Sequence, residues 1–269
     1  MRLSPAIATA LVAATAVACA GCRLVRGRGA VAPDMADSRR LCNEGLSAAD
    51  RQDLVRAEGL LERAVERCPL DVDARRHYAD VLWRRGERME AVRQVTAALE
   101  LSPADAGLCV EGGRMYLELG LLNDAERLAN EAVRLAPRSV AAWRIKGRVA
   151  SARGQLEAAL ADFHRALAES PNDRDTLRDA AETYLRLDRP RRALATLAVL
   201  DDTFGPDKLP ADVLVLEGLA QEALGRPGEA AAAYRRALAR GDAPPEATAR
   251  LAALESAVPA ARSDGAVVR

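Results

Sequence analysis

Four prolines, Pro69, Pro103, Pro137 and Pro171, stand 34 residues apart, and no other feature of the sequence restricts the fold as tightly. A fixed interval of this size marks a chain assembled from stacked copies of one small unit. With each proline at position 32, units begin at 38, 72, 106 and 140. Position 8 is then Gly45, Ala79, Gly113 and Gly147, and position 20 is Ala57, Ala91, Ala125 and Ala159. Position 27 is Ala64, Ala98, Ala132 and Ala166. A fifth unit from 174 keeps Leu177, Ala181, Tyr184 and Ala193 in phase, and about three extra residues near Phe204–Pro206 then shift the frame. The sixth starts at Ala211 and shows Gly218, Gly225, Ala230, Tyr234 and Ala237. The expected units are therefore 38–71, 72–105, 106–139, 140–173, 174–207 and 211–244, with a capping helix over 245–257 and a disordered tail over 258–269.

The columns have a packing logic. Gly86, Gly120, Gly154 and Gly225 split each unit near position 15 into two helices, because glycine takes the left-handed conformation that ends a helix. Small residues at positions 8, 20 and 27 let helix axes approach, and Tyr116, Trp143, Phe163 and Leu177 fill the remaining space. The proline ends the second helix, since it lacks an N–H and clashes with the preceding turn. Each pair leaves a face uncovered, so neighbours must stack. The expected fold is an all-α solenoid. Composition agrees: 49% hydrophobic with 29% charged residues suits amphipathic helices, and 3% aromatics leaves a core of Ala, Leu and Val.

The run Trp143, Gly147, Ala150, Gly154, Ala159, Phe163, Ala166, Pro171 closely resembles the tetratricopeptide repeat (TPR). The resemblance extends over roughly residues 38–244. It departs from the pattern at Gln52 and Asp188, which stand where the turn glycine is usual. It implies a right-handed superhelix whose concave face binds peptides or partner proteins, lined by positions 2, 5, 9, 12 and 13 of each first helix. Those positions hold Asp73, Arg76, Asp80, Trp83 and Arg84 in the second unit, then Val110, Arg114, Leu117, Arg144 and Arg148 in the third and fourth. The fifth contributes Asp175, Arg178, Glu182 and Leu185.

Arginine recurs at positions 5 (Arg76, Arg144, Arg178) and 9 (Arg114, Arg148), and a guanidinium fork suits carboxylates. Such a row could read an acidic peptide. Equally, 37 of the 39 basic residues are arginine, so solvated helix faces with intrahelical pairs would give the same pattern. The family's two-carboxylate clamp needs asparagines at set groove positions; Asp80, Arg114 and Arg148 occupy position 9, so that specificity is not carried over. Trp83 either presents an aromatic in the groove beside Arg76 and Arg84 or packs on the adjacent helix, whereas Trp143 is expected in the core.

Chemistry is sparse. The 39 Lys+Arg balance 39 Asp+Glu, which argues against a nucleic-acid partner held through phosphates. Phosphate-loop, nucleophile-elbow and zinc-protease motifs are lacking, and His77 and His164 fall at different helix positions in separate units. No enzyme, cofactor, metal site or small-molecule substrate is expected. Cys42 and Cys68 fall at one end of the first hairpin, as a disulfide or as two thiols, and Cys109 fills core space.

The N-terminus reads as an address. Met1–Arg2 and then the small apolar residues of 6–20 have the proportions of a secretory signal over residues 1–21. Ala20-Gly21-Cys22 resembles the lipobox of bacterial lipoproteins, with Cys22 as the lipidated residue and Cys19 as the alternative. Residues 22–37 are expected to form a flexible tether. A periplasm-facing lipoprotein results, for which Arg23 after the cysteine favours the outer membrane by resemblance to sorting rules. Three functions fit: an envelope assembly adaptor comparable to pilus secretin factors, a peptide receptor or chaperone for acidic segments, or an accessory subunit of an envelope enzyme.

Overall fold

Aspartate or serine recurs two residues after each spaced proline, and these side chains start the helices. In the computed structural model, which describes residues 31–205 and 208–257, Asp71, Asp105, Ser139 and Asp173 each accept a hydrogen bond from the third backbone N–H downstream. Each such cap contributes about 1 kcal/mol. Asp53 does the same for a second helix. The described residues form thirteen helices and no strand.

The chain divides into two compact units, Met1–Pro103 and Ala104–Arg269. The first holds α1 (Val31–Asp50), α2 (Leu54–Arg67), α3 (Val72–Arg85) and α4 (Arg88–Leu101). The second holds α5 (Ala106–Glu118), α6 (Leu122–Leu135), α7 (Val140–Ala152), α8 (Leu156–Glu169) and α9 (Arg174–Arg186). It continues with α10 (Pro190–Phe204), α11 (Ala211–Ala223), α12 (Pro227–Leu238) and α13 (Pro245–Ala257). Within each unit successive helices pair as hairpins. In the second unit α5, α7, α9 and α11 also touch one another in order, so the first helices of the pairs form a continuous inner row. Leu251 and Leu254 of α13 pack on the core at the end of the row.

The turn position is left-handed whether or not it is glycine. Gly86, Gly120, Gly154 and Gly225 have φ of 70–89°, and Gln52 and Asp188 adopt φ of 64° and 54° at the equivalent places. A non-glycine residue there costs about 1–2 kcal/mol. Packing of the flanking helices holds the turn regardless.

Positions 8 and 24 are matched in volume. A Cβ on Gly147 would lie 2.5 Å from the Phe163 ring, and one on Gly45 would lie 2.8 Å from Leu61. On Gly218 it would collide with the Tyr234 ring. Where position 8 is Ala79 or Ala181, position 24 is an aliphatic residue, Val95 or Leu197, and never an aromatic one. Gly113 differs, since Ala129 stands opposite it and its nearest neighbour would be Ile145 at 3.4 Å.

Three sequence expectations change. The tether over 22–37 runs into helix, because α1 begins at Val31. Pro33 falls in its first turn, where a missing N–H costs nothing, and Asp34 there complements the helix dipole. Cys42 therefore lies inside α1 rather than at its start; Cys42, Cys68 and Cys109 are free, buried thiols. Burial, with Asp71 and Asp73 nearby, pushes the Cys42 thiol up to about 11. Trp143 is half-buried rather than core: its indole N–H donates to the Pro137 carbonyl at 2.7 Å. Lys146 and Arg165 stand over its ring at 5.3 and 4.7 Å. The signal peptide, Cys22 and the tail over 258–269 lie outside the described residues.

Candidate functional site

The inner row of the second unit carries a cleft of about 270 Å³. Its walls bring together Leu117 of α5, Arg148 of α7, and Arg178 and Glu182 of α9, four residues expected in the groove, with Ser151, Thr183 and Arg186 also lining it. Phe163 reaches the floor from α8 because Gly147 has no side chain to block it. Asp179, which the groove positions did not point to, lines the same cleft.

Most arginines of the row are occupied within the chain. Arg144 forms an ion pair with Asp175 one repeat on, and Arg178 pairs with Asp212 one repeat further, at 3.1 Å. Both link position 5 of one unit to position 2 of the next. Burial pushes the Asp175 carboxyl up, and the Arg144 hydrogen bond and charge more than reverse it, leaving it below the usual carboxylate range. Arg114 pairs with Glu118 in its own helix at 3.1 Å. The second hydrogen bond of Arg178 goes to Asp179 Oδ1 at 3.1 Å. Asp179 is 7% exposed, and its Oδ2 is buried with no hydrogen-bond partner. Burial raises this carboxyl, with Arg178, Arg148 and Arg144 opposing the rise.

Arg148 is different: half-buried in the cleft wall, it has no hydrogen bond or ion pair among the described residues. Glu182, exposed at the same position of the next repeat, is likewise without one. The acidic-ligand row of the sequence analysis thus reduces to one uncommitted cation with an uncommitted carboxylate beside it.

Of the remaining expected groove residues, Val110 and Leu185 are partly buried against the core of the second unit, and the others belong to the first unit. Arg84 donates to the Ala49 carbonyl at 3.3 Å and to Gln52 Oε1 at 3.2 Å, tying α3 to the end of α1. Arg186 does the same in the second unit, reaching Ser151 Oγ and O at 2.5 and 3.1 Å. This is an inter-repeat clasp at position 13, and it gives Arg84 a structural task. Trp83 is half-buried with the Arg88 guanidinium 5.1 Å from its ring centroid, so it faces the α3–α4 turn. Arg76 is half-buried and Asp80 exposed. Among the described residues no group of three His, Cys, Asp or Glu side chains could hold a metal, and no helix is long and apolar enough to cross a membrane.

These features define a class, an α-solenoid of helix-pair repeats with a polar cleft on its inner row. TPR models match residues 42–106, 111–174 and 150–211, more than half of the chain. The chain belongs to the tetratricopeptide repeat family. No curated protein matches its sequence. Among solved structures it is similar to PilW, a widely conserved type IV pilus biogenesis factor, at 20% identity and TM-score 0.72, covering 80% of this chain and 98% of that one. It is similar to PilF of Pseudomonas aeruginosa at 18% identity and TM-score 0.67, covering 83% and 99%. The Cut9–Hcn1 hetero-tetramer of the APC/C matches at 17% identity and TM-score 0.72; 83% of this chain aligns but spans only 43% of that one. At these identities the likeness concerns the fold.

Proposed function

We propose that this chain is a non-enzymatic interaction scaffold that receives a partner protein or peptide on the inner row of its second unit. The observation that carries this reading is the cleft, where Leu117, Arg148 and Glu182 from three successive repeats converge and neither charged group has a hydrogen bond or ion pair among the described residues. The relatives of similar fold agree with it: PilW is a pilus biogenesis factor, and Cut9 is part of a hetero-tetramer. The second half of the proposal is an envelope location, with the chain exported and anchored to a membrane through lipid on Cys22. It rests on the apolar run before Ala20-Gly21-Cys22. Several acyl chains hold a protein firmly where one holds it marginally. An adaptor that assembles envelope machinery follows from the two halves together.

A photo-crosslinker at Leu117 in intact cells tests the first half. A stable partner captured there and lost with Arg148→Glu is the expected result; capture that ignores the cleft overturns it. The mass of the mature N-terminus tests the second half. A chain beginning at lipidated Cys22 is expected, and one still beginning at Met1 removes the envelope location.

A further inference from the structure

The charges of the cleft specify its ligand more narrowly than the fold does. Its walls hold three guanidinium groups, of Arg148, Arg178 and Arg186, and two carboxylates, of Asp179 and Glu182. Arg178 is saturated by Asp212 on one side and Asp179 on the other. Arg186 donates to Ser151 Oγ and O and keeps its charge at the exposed edge of the cleft. What remains for an incoming group is Arg148 and Glu182, one position 9 apiece in adjacent repeats, with Leu117 supplying apolar surface beside them.

We propose that the cleft selects a peptide segment carrying one acidic and one basic side chain around an apolar residue: the acid on Arg148, the base on Glu182 and the apolar group against Leu117. The inference rests on the groove reading above and narrows it.

Two observations turn the choice away from a polyacidic ligand. Asp179 is nine-tenths buried in the cleft wall and its Oδ2 has no hydrogen-bond partner, so a second carboxylate brought in beside Arg148 meets another acceptor oxygen and no donor there. The other cations of the cleft, Arg178 and Arg186, would first have to release Asp212 and Ser151. A polybasic ligand fares no better, because Glu182 is the single uncommitted carboxylate of the cleft among the described residues and Arg148 repels it. An opposite-charge pair on the ligand satisfies both free groups and breaks no internal bond. Discrimination of this kind works by leaving the wrong partner with unmatched charge.

The test is selection of a random dodecapeptide library displayed on phage against the full chain. At least tenfold enrichment of peptides with one acidic and one basic residue flanking an apolar one is expected. Arg148→Glu should shift the selected peptides to basic ones, and Glu182→Arg to acidic ones. The double variant Arg148→Glu/Glu182→Arg should return the mixed composition, which also shows that the swaps leave the fold intact. Enrichment of acid-rich peptides by the unaltered chain overturns the mixed-charge proposal and leaves the groove reading standing. No enrichment, or a selected set that none of the swaps changes, overturns both.

Discussion

The third and fourth helix pairs, α5–α6 and α7–α8, follow the same 34-residue frame and solve it differently. At position 8 both have glycine, yet a Cβ would press into the Phe163 ring at Gly147 and make only ordinary contacts, from 3.4 Å, at Gly113. At position 4 the third pair buries Cys109, while the fourth places Trp143 between Lys146 and Arg165. At position 9 Arg114 is tied to Glu118, and Arg148 lines the cleft with no ion pair among the described residues. A repeat column therefore fixes where a residue sits, and the residue one helix away decides what it does there.

The sharpest way to break this comparison is to remove the ring. Phe163→Ala should cost about 3–5 kcal/mol in denaturant unfolding, as expected for a fully buried aromatic. In that background Gly147→Ala should no longer destabilise. With the ring present, Gly147→Ala should cost about 1–3 kcal/mol through overpacking, in spite of alanine's better helix propensity. Gly113→Ala, in the same column, should be neutral or stabilise by up to about 1 kcal/mol. Equal losses at the two glycines would show that the column alone, and not its opposite number, sets the packing.

Smaller effects refine the picture. Asp188→Gly should stabilise by about 0.5–1 kcal/mol in the same assay by relieving the left-handed backbone at φ 54°. The pairs also differ at position 5, where the third has Val110 and the fourth Arg144. Because Arg144 holds Asp175 low, that carboxylate stabilises the fold above the ordinary carboxylate range and the gain fades as pH falls through its lowered value. Thermal melts between pH 7 and 3 should therefore fall less steeply for Asp175→Asn than for the unaltered chain. Asp179, held high by burial, acts in the opposite sense, so Asp179→Asn should steepen the same limb.

Much of this was legible in the sequence. The prolines, the small columns and the turn glycines gave the phase, because each reports a backbone need that tolerates few residues. The capping column Asp71, Asp105, Ser139 and Asp173 has a spacing equally plain, and it marks the helix starts as the prolines mark the ends. Side-chain fates were harder. Trp143 looked like core filling, but its N–H had a carbonyl within reach at Pro137 and two cations for its faces, which helical spacing does not reveal. The arginine row looks like a surface for acids, yet position 5 to position 2 pairs take up Arg144 and Arg178, and Glu118 takes up Arg114. The partners Asp175 and Asp212 lie 31 and 34 residues away, beyond any local pattern. Asp179 escaped notice because it is one residue past a groove position and buried by its neighbours.

The lengthened joint between α10 and α11 carries its own lesson. The chain adds residues at Phe204–Gly205, outside both helices of the next pair, and α9 and α11 still touch across it. Added length is thus absorbed at this seam without parting the inner row, but exchanging the module beyond it would take Asp212 away from Arg178 and so reach back into the cleft.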